Sequence, residues 1–274
     1  MAGLGATATY LFLVDHDHVR MHRSARIEHV RGHHTMTLAA ELQRSSLPPV
    51  ALVTSEVAVA GMLQPAYEVA GDSFDYALDT DGMHVMVIDS VGHDLDSSLI
   101  SHLVQGSLRN SRRNRLDITE AYSAADEALS AMYPDQRFAT AAFGRLEVES
   151  GRFRWIATGH PPPLLVRSGR VVGEAAAMPA LPIGLGGGTP PVNEVVIERG
   201  ALLFYTDGVT EGGARGGERF GLDRLVDLLG RTLLSGMPPA ELLCRLVAAV
   251  LEHTAYELHD DPTLPLVQRR DGKA

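Results

Sequence analysis

Only one cysteine occurs in the 274 residues, Cys244. No disulfide can therefore form within the chain, which fits a reducing, cytoplasmic compartment. Cys244 lies in the apolar helical pattern "AELLCRLVAAVLEH" and reads as a buried, inert thiol rather than a nucleophile. No apolar run approaches ~18 residues, so nothing reads as spanning a membrane. The opening "MAGLGATATYLFLVDHD" has no basic n-region and an interrupted apolar run, which reads against a signal peptide. Positive charge is also short: 24 Lys and Arg against 34 Asp and Glu leave a net charge of −10. That argues against nucleic acid as a partner and against a polybasic membrane patch. There is no internal repeat. The stretch "GLGGGTPP" lacks G-x-G-x-x-G and runs into prolines, so it reads as a flexible loop rather than a dinucleotide turn.

What remains is an ordinary soluble composition, 45% hydrophobic and 21% charged, long enough for one large domain or two small ones. Six of the 12 histidines fall between His16 and His34. Residues 1–40 mix His and Arg without a clean apolar face and read as a linker or helical arm. A transition-metal site there finds no support beyond the His18 and His22 pair. From residue 41 to 270 the patterns run strands, helices, strands, helices, strand. This is α+β with largely antiparallel sheets, not alternating βαβ. A helix opens at Asp117 with Glu120 three residues on, the arrangement of a capping box.

One strand, "GMHVMVID", delivers a carboxylate to its end at Asp89. The preceding strand, "PAYEVAGDSFDYAL", is joined to it by the turn signal "DTDG". That turn sets Leu78 opposite Met83, and hence Asp72 opposite Asp89 on one face. Their Cβ atoms are then only ~4.5–5.5 Å apart, and directly opposed like charges destabilise a strand pair. Either one carboxylate holds a proton or a cation sits between them. A second apolar run, "ALLFYTDG", ends on Asp207, and Asp260 and Asp261 precede the final strand "TLPLV". In an antiparallel arrangement these ends share an edge, so Asp72, Asp89, Asp207 and Asp260 can collect at one rim. An all-oxygen donor set of that charge suits Mg²⁺ or Mn²⁺ rather than structural Zn²⁺.

Taken in order, "AAELQRSSLPP", "PAYEVAGDSFDYAL", "VIDSVGHD", "ATGHPPPLLVRSG", "LPIGL", "LLFYTDGVTE" and "DDPTLPLVQRR" resemble the motifs of the SpoIIE/RsbU-type serine phosphatases, the bacterial branch of the metal-dependent type-2C protein phosphatases. The resemblance covers about residues 38–270. It implies a four-layer α-β-β-α sandwich with two central antiparallel sheets, and two Mn²⁺ or Mg²⁺ ions at one end of them. It carries Asp72, Asp89, the backbone carbonyl of Ser90, Asp207 and Asp260 into the metal centre, with Asp75, Gly92 and Asp261 in support. It implies a phosphoserine or phosphothreonine protein as substrate, typically a STAS-type anti-anti-sigma factor, hydrolysed without a phosphoenzyme. His93, just after Gly92, either orients that loop or donates to a phosphate or leaving group. The glycine-rich segment holding Gly212, Gly213 and Arg215 is a candidate substrate flap. The N-terminal helical stretch is a candidate homodimer contact. Asp94 and Pro265 stand where the family has Gly and an aliphatic residue. They leave room for a catalytically weak or inactive partner-binding module of the same fold.

Overall fold

The computed structural model describes residues 43–66, 69–92, 95–213 and 217–270. The expected N-terminal arm, His93, Asp94 and Arg215 lie outside these residues.

The described chain enters on a helical turn at 43–46 and forms four strands. These are β1 (Ala51–Val53), β2 (Val57–Leu63), β3 (Asp72–Asp79) and β4 (Gly82–Ser90). Two helices follow, α1 (Leu95–Arg113) and α2 (Ile118–Met132). Next come β5 (Ala139–Leu146), β6 (Arg152–Thr158), β7 (Leu164–Arg167), β8 (Arg170–Glu174), β9 (Pro179–Ala180), β10 (Asn193–Val196) and β11 (Gly200–Leu203). A single helical turn, α3 (Asp207–Thr210), leads to α4 (Leu222–Leu234), α5 (Pro239–His253) and β12 (Thr263–Arg269).

The strands form two sheets. The first has the order β1-β2-β12-β11-β7-β8, the second β10-β6-β5-β4-β3, with β9 joined parallel to β6. Every other pairing is antiparallel. Val59, Leu202 and Val267 of the first sheet meet Phe74, Val87 and Trp155 of the second in a shared core. The outer face of the first sheet is covered by α4 and α5, through Leu225, Leu229, Leu243 and Leu246. The outer face of the second is covered by α1 and α2, where Ile100, Val104 and Leu108 recur at helical spacing. The expected four-layer α-β-β-α sandwich is what the chain forms.

Local chemistry sets the elements that matter for the site. Asp79 pairs with Gly82, Asp81 N–H donates to Asp79 Oδ1 at 2.9 Å, and Gly82 takes φ 135°. A Cβ on Gly82 would lie 2.2 Å from Leu146 O, so the turn needs glycine there. This turn fixes the register that the sequence implied: Leu78 faces Met83 and Asp72 faces Asp89. The capping box also forms. Asp117 Oδ1 accepts from Thr119 N–H at 3.0 Å, and Asp117 N–H donates to Glu120 Oε2 at 2.7 Å.

Three expectations need correction. Asp75 was placed among the supporting acids of the carboxylate rim, but it lies three residues from Asp72 on a strand and so faces the opposite side. There it receives Arg109 Nε and Nη2, each at 2.8 Å, and Arg109 Nη2 also donates to Ser46 O at 2.9 Å. With Gln105 Nε2 donating to Ser73 Oγ at 3.0 Å and Phe74 O at 3.1 Å, this pair fastens α1 to β3. Cys244 is only partly buried, packed against the edge of the α4–α5 core rather than inside it. The "GLGGGTPP" stretch is tethered to α2, since Gly184 and Gly186 N–H donate to Asp126 Oδ1 at 2.7 and 3.2 Å.

Arg109→Ala leaves the Asp75 carboxylate, 6% exposed, without its partner. The expected loss is about 3 kcal/mol, the cost of an uncompensated buried charge, read as a lower urea midpoint at unchanged slope.

Candidate metal centre

Four chain segments meet at one end of the two sheets. Asp72 opens β3 and Asp89 is the penultimate residue of β4, directly opposite it. Asp207 does not end a strand, as the apolar run suggested. Pairing between β11 and β12 stops at Leu203↔Leu266, because the next residue on β12 is Pro265, which has no N–H to give. Phe204 N–H still reaches Pro265 O at 2.8 Å, and Thr206 N–H reaches Thr263 O at 3.2 Å. The chain then turns into α3 with Asp207 as its first residue. Asp260 and Asp261 lie just before β12, beside that turn.

Close backbone approach explains the flanking glycines. A Cβ on Gly71 would meet Gly92 O at 2.4 Å, so the loop ahead of Asp72 runs against the turn after Asp89. Gly92 itself takes φ 101°. A Cβ on Gly208 would meet Asp261 O at 2.6 Å and its carbonyl carbon at 2.7 Å. Glycine after Asp207 therefore lets α3 lie on the backbone of Asp261.

Hydrogen bonds lock these segments together. Asp261, 1% exposed, accepts from Ala66 N–H through Oδ1 and Gly71 N–H through Oδ2, both at 2.7 Å. Thr206 Oγ1 donates to Asp261 O at 3.0 Å and accepts from Thr263 N–H at 3.1 Å. Ser90 Oγ lies within donating distance of Gly71 O at 2.8 Å and Ser97 O at 2.7 Å, and Ser101 Oγ donates to Gly71 O. Gln43 clasps Ala70 from both sides, its Nε2 donating to Ala70 O at 2.6 Å and its Oε1 accepting from Ala70 N–H at 2.8 Å. Sequence reasoning missed Gln43, Gly71, Ser101 and Thr206. Only Gly71, beside Asp72, carried a visible signal.

The electrostatics are those of crowded acids. Burial first, then Asp89 and Asp261, push Asp72 well above the usual carboxylate range. Burial, then Asp207, Asp260 and Asp261, push Asp89 up to about 8. Burial and Asp260 raise Asp207. The five carboxylates thus act on one another, graded from Asp72 at 2% exposure to Asp260 at the open surface. Among the described residues no ion pair joins Asp72, Asp89 or Asp207 to a basic side chain. Asp72 Oδ2 is buried with no hydrogen-bond partner. Nor do any three acidic, His or Cys side chains among those residues already stand in a chelating arrangement. Like charges without a counter-ion separate rather than converge. The donor set fits a hard divalent cation: carboxylate oxygens, one buried and unsatisfied, plus the Ser90 carbonyl at the end of β4.

The rest of the expected site is more peripheral. Gly212 and Gly213 sit at the base of a loop folded back on α3: Phe220 N–H donates to Gly212 O at 2.7 Å and Gly221 N–H to Thr210 O at 2.9 Å. His160 is 5% exposed, its Nδ1 3.1 Å from Oγ1 of Thr140, the residue paired with Asp89 on β5. Burial lowers it to about 3, so it is a neutral structural imidazole.

Comparison with known proteins identifies the family and the fold. The family model for stage II sporulation protein E (SpoIIE) matches residues 79–270. Among curated proteins, the phosphoserine phosphatase RsbP of Bacillus subtilis is 24% identical over 184 residues, 64% of this chain and 45% of its own. The chain spans less than half the length of the curated relatives it matches. The solved RsbU and RsbW domains of Rv1364c from Mycobacterium tuberculosis are 30% identical and overlay with a TM-score of 0.69. That overlay covers 80% of this chain and 61% of theirs. The catalytic domain of the serine/threonine protein phosphatase PstP, solved with 2 manganese ions, shares the fold at a TM-score of 0.59. Its identity is 15%, over 79% of this chain and 99% of that one.

Proposed function

The chain belongs to the SpoIIE family, and from that membership we propose that it is a metal-dependent serine/threonine protein phosphatase. The observation that carries this reading is the directly opposed Asp72–Asp89 pair, with Asp72 Oδ2 buried and unsatisfied among further carboxylates. Asp72, Asp89, the Ser90 carbonyl, Asp207 and Asp260 would hold two Mn²⁺ or Mg²⁺ ions. Such a pair, when bound, supplies a water of lowered pKa and neutralises phosphoryl oxygens in a loose transition state.

The protein's own groups do the rest. Asp261 fixes the loop that presents Asp72, and Thr206 fixes the turn that presents Asp207. His93, three residues past the end of β4 in the sequence, is the candidate donor to the departing serine or threonine oxygen. No cysteine or serine nucleophile is required, so water attacks phosphorus and no phosphoenzyme forms. Gly212 and Gly213 border the Asp207 turn, and with Arg215, which follows them in the sequence, they are the candidate contact for the substrate protein. That substrate is a phosphoserine or phosphothreonine protein, with a STAS-type anti-anti-sigma factor as the specific candidate. The catalytic unit is residues 41–270, acting in the cytoplasm, and the arm before it is the candidate dimer contact.

Hydrolysis of p-nitrophenyl phosphate with Mn²⁺ and with EDTA tests this reading. A rate that appears with Mn²⁺ and vanishes with EDTA is expected. The absence of any Mn²⁺-dependent rate would instead identify a partner-binding module that keeps the fold without turnover.

A further inference from the structure

A second charged constellation lies on the other face of the second sheet. His84, Arg145 and Arg154 stand directly opposite one another on β4, β5 and β6. Their rung is the next one out from Met86–Phe143–Ile156, which packs under α1 and α2. Arg112 of α1 reaches the same place, and together they line a small, solvent-open cleft of about 90 Å³. Its apolar wall includes Leu108, Ile118 and Phe143.

Adjacent like charges across strands are destabilising, so this rung needs compensation. The protein supplies only part of it. Arg112 lies 3.9 Å from Asp79, and Arg154 lies 3.9 Å from Asp117. Both distances are too long for direct hydrogen bonds. Asp117 is further engaged as the cap of α2, accepting from Thr119 N–H and Oγ1 at 3.0 Å each. Arg145 has no ion pair among the described residues. Arg112 Nε is buried without a hydrogen-bond acceptor. Burial, with Arg112 and Arg145 nearby, lowers His84 against the opposing pull of Asp79, so the ring adds no full charge at neutral pH. The cleft itself is lined by three guanidinium groups and one carboxylate, Asp117, beside an apolar wall; Asp79 and Glu194, which faces Arg154 from β10, stand outside that lining.

We propose that this cleft binds a small organic carboxylate. Its carboxylate sits between Arg112, Arg145 and Arg154, and its aryl or alkyl body lies on Phe143 and Leu108. The forked guanidinium matches a carboxylate in two parallel hydrogen bonds, and an anion matches a lining richer in guanidinium than in carboxylate. His84 is five residues from Asp89 along β4, roughly 17 Å, and on the opposite face. The site is therefore separate from the carboxylate rim and does not depend on the phosphatase reading.

Calorimetric titration of the full chain with 2-naphthoate and with neutral 2-naphthamide, with and without Mn²⁺, tests this. The acid is expected to bind at least about ten-fold more tightly than the amide, regardless of Mn²⁺. Arg145→Gln and, separately, Arg154→Gln are expected to weaken naphthoate about ten-fold and to leave the amide unchanged. Melting curves establish that each variant is folded, and the wild-type comparison of acid with amide stands without them. Equal affinity for acid and amide, no measurable binding of either, or folded variants that bind naphthoate like wild type overturns the proposal.

Discussion

Asp89→Asn is expected to remove Mn²⁺-dependent phosphoester hydrolysis while raising the melting temperature of the metal-free protein. The two effects have opposite signs for one physical reason. Asp89 lies between Asp72 and the Asp207–Asp260 pair, and burial with those neighbours pushes it up to about 8. In the metal-free protein its negative charge is a liability, and an isosteric neutral amide relieves it. In the proposed metal centre the same charge would help to hold the cations, which would stabilise a developing phosphoryl charge. That stabilisation amounts to several kcal/mol, so the rate should fall by about 10³-fold or more. Steady-state assays with p-nitrophenyl phosphate and calorimetric melts in EDTA read the two effects separately. A variant that is less stable without metal yet keeps its Mn²⁺-dependent rate would refute the assignment of Asp89.

Mn²⁺ itself should stabilise the fold, and more so at pH 8 than at pH 5.5. Asp89 carries a folded-state pKa raised from 3.8 to about 8, and Asp72 is raised as well. A raised carboxylate favours the folded state fully below its unfolded value and loses that contribution as pH climbs through the folded value. The metal-free protein therefore loses stability between about pH 4 and 8. Over the same window protons leave the oxygens that a cation needs, so metal binding strengthens as unassisted stability declines. At a free Mn²⁺ concentration of 100 times its dissociation constant the gain is about 2.7 kcal/mol. For a domain of this size that is a rise of about 5–10 °C. Melts in EDTA and in Mn²⁺ across the window check both trends. An equal shift at both pH values would place the metal on other ligands.

The Asp72–Asp89 register was legible because one two-residue turn and a period of two determine it, and both are local. The same period shows why Asp75 was misassigned: an odd separation on a strand changes face, and the acid found Arg109 instead. Asp207 was read as a strand end because the apolar run continues through Tyr205. The actual end of β11 depends on a missing N–H at Pro265, some sixty residues later, which pattern along one segment does not reveal. Gln43 and Ala70 are 27 residues apart, and nothing in either neighbourhood announces their reciprocal hydrogen bonds. Gly208 follows Asp207 with no local pattern that requires glycine. Its reason for being glycine, the backbone of Asp261, belongs to tertiary structure.

The position of β12 has a consequence for how the protein is made. The last described strand lies in the interior of its sheet, bonded to β2 on one side and β11 on the other. Asp261, which clamps Ala66 and Gly71 across 195 and 190 residues, arrives immediately before it. A nascent chain on the ribosome therefore carries Asp72 and Asp89 without the residues that complete their surroundings until residue 261 has been added. Long-range closure of this kind is slow, and it leaves β2 and β11 with open edges until β12 emerges. Cation binding and full assembly should thus come late and together, and premature termination before residue 260 should yield a product that neither binds manganese nor resists proteolysis.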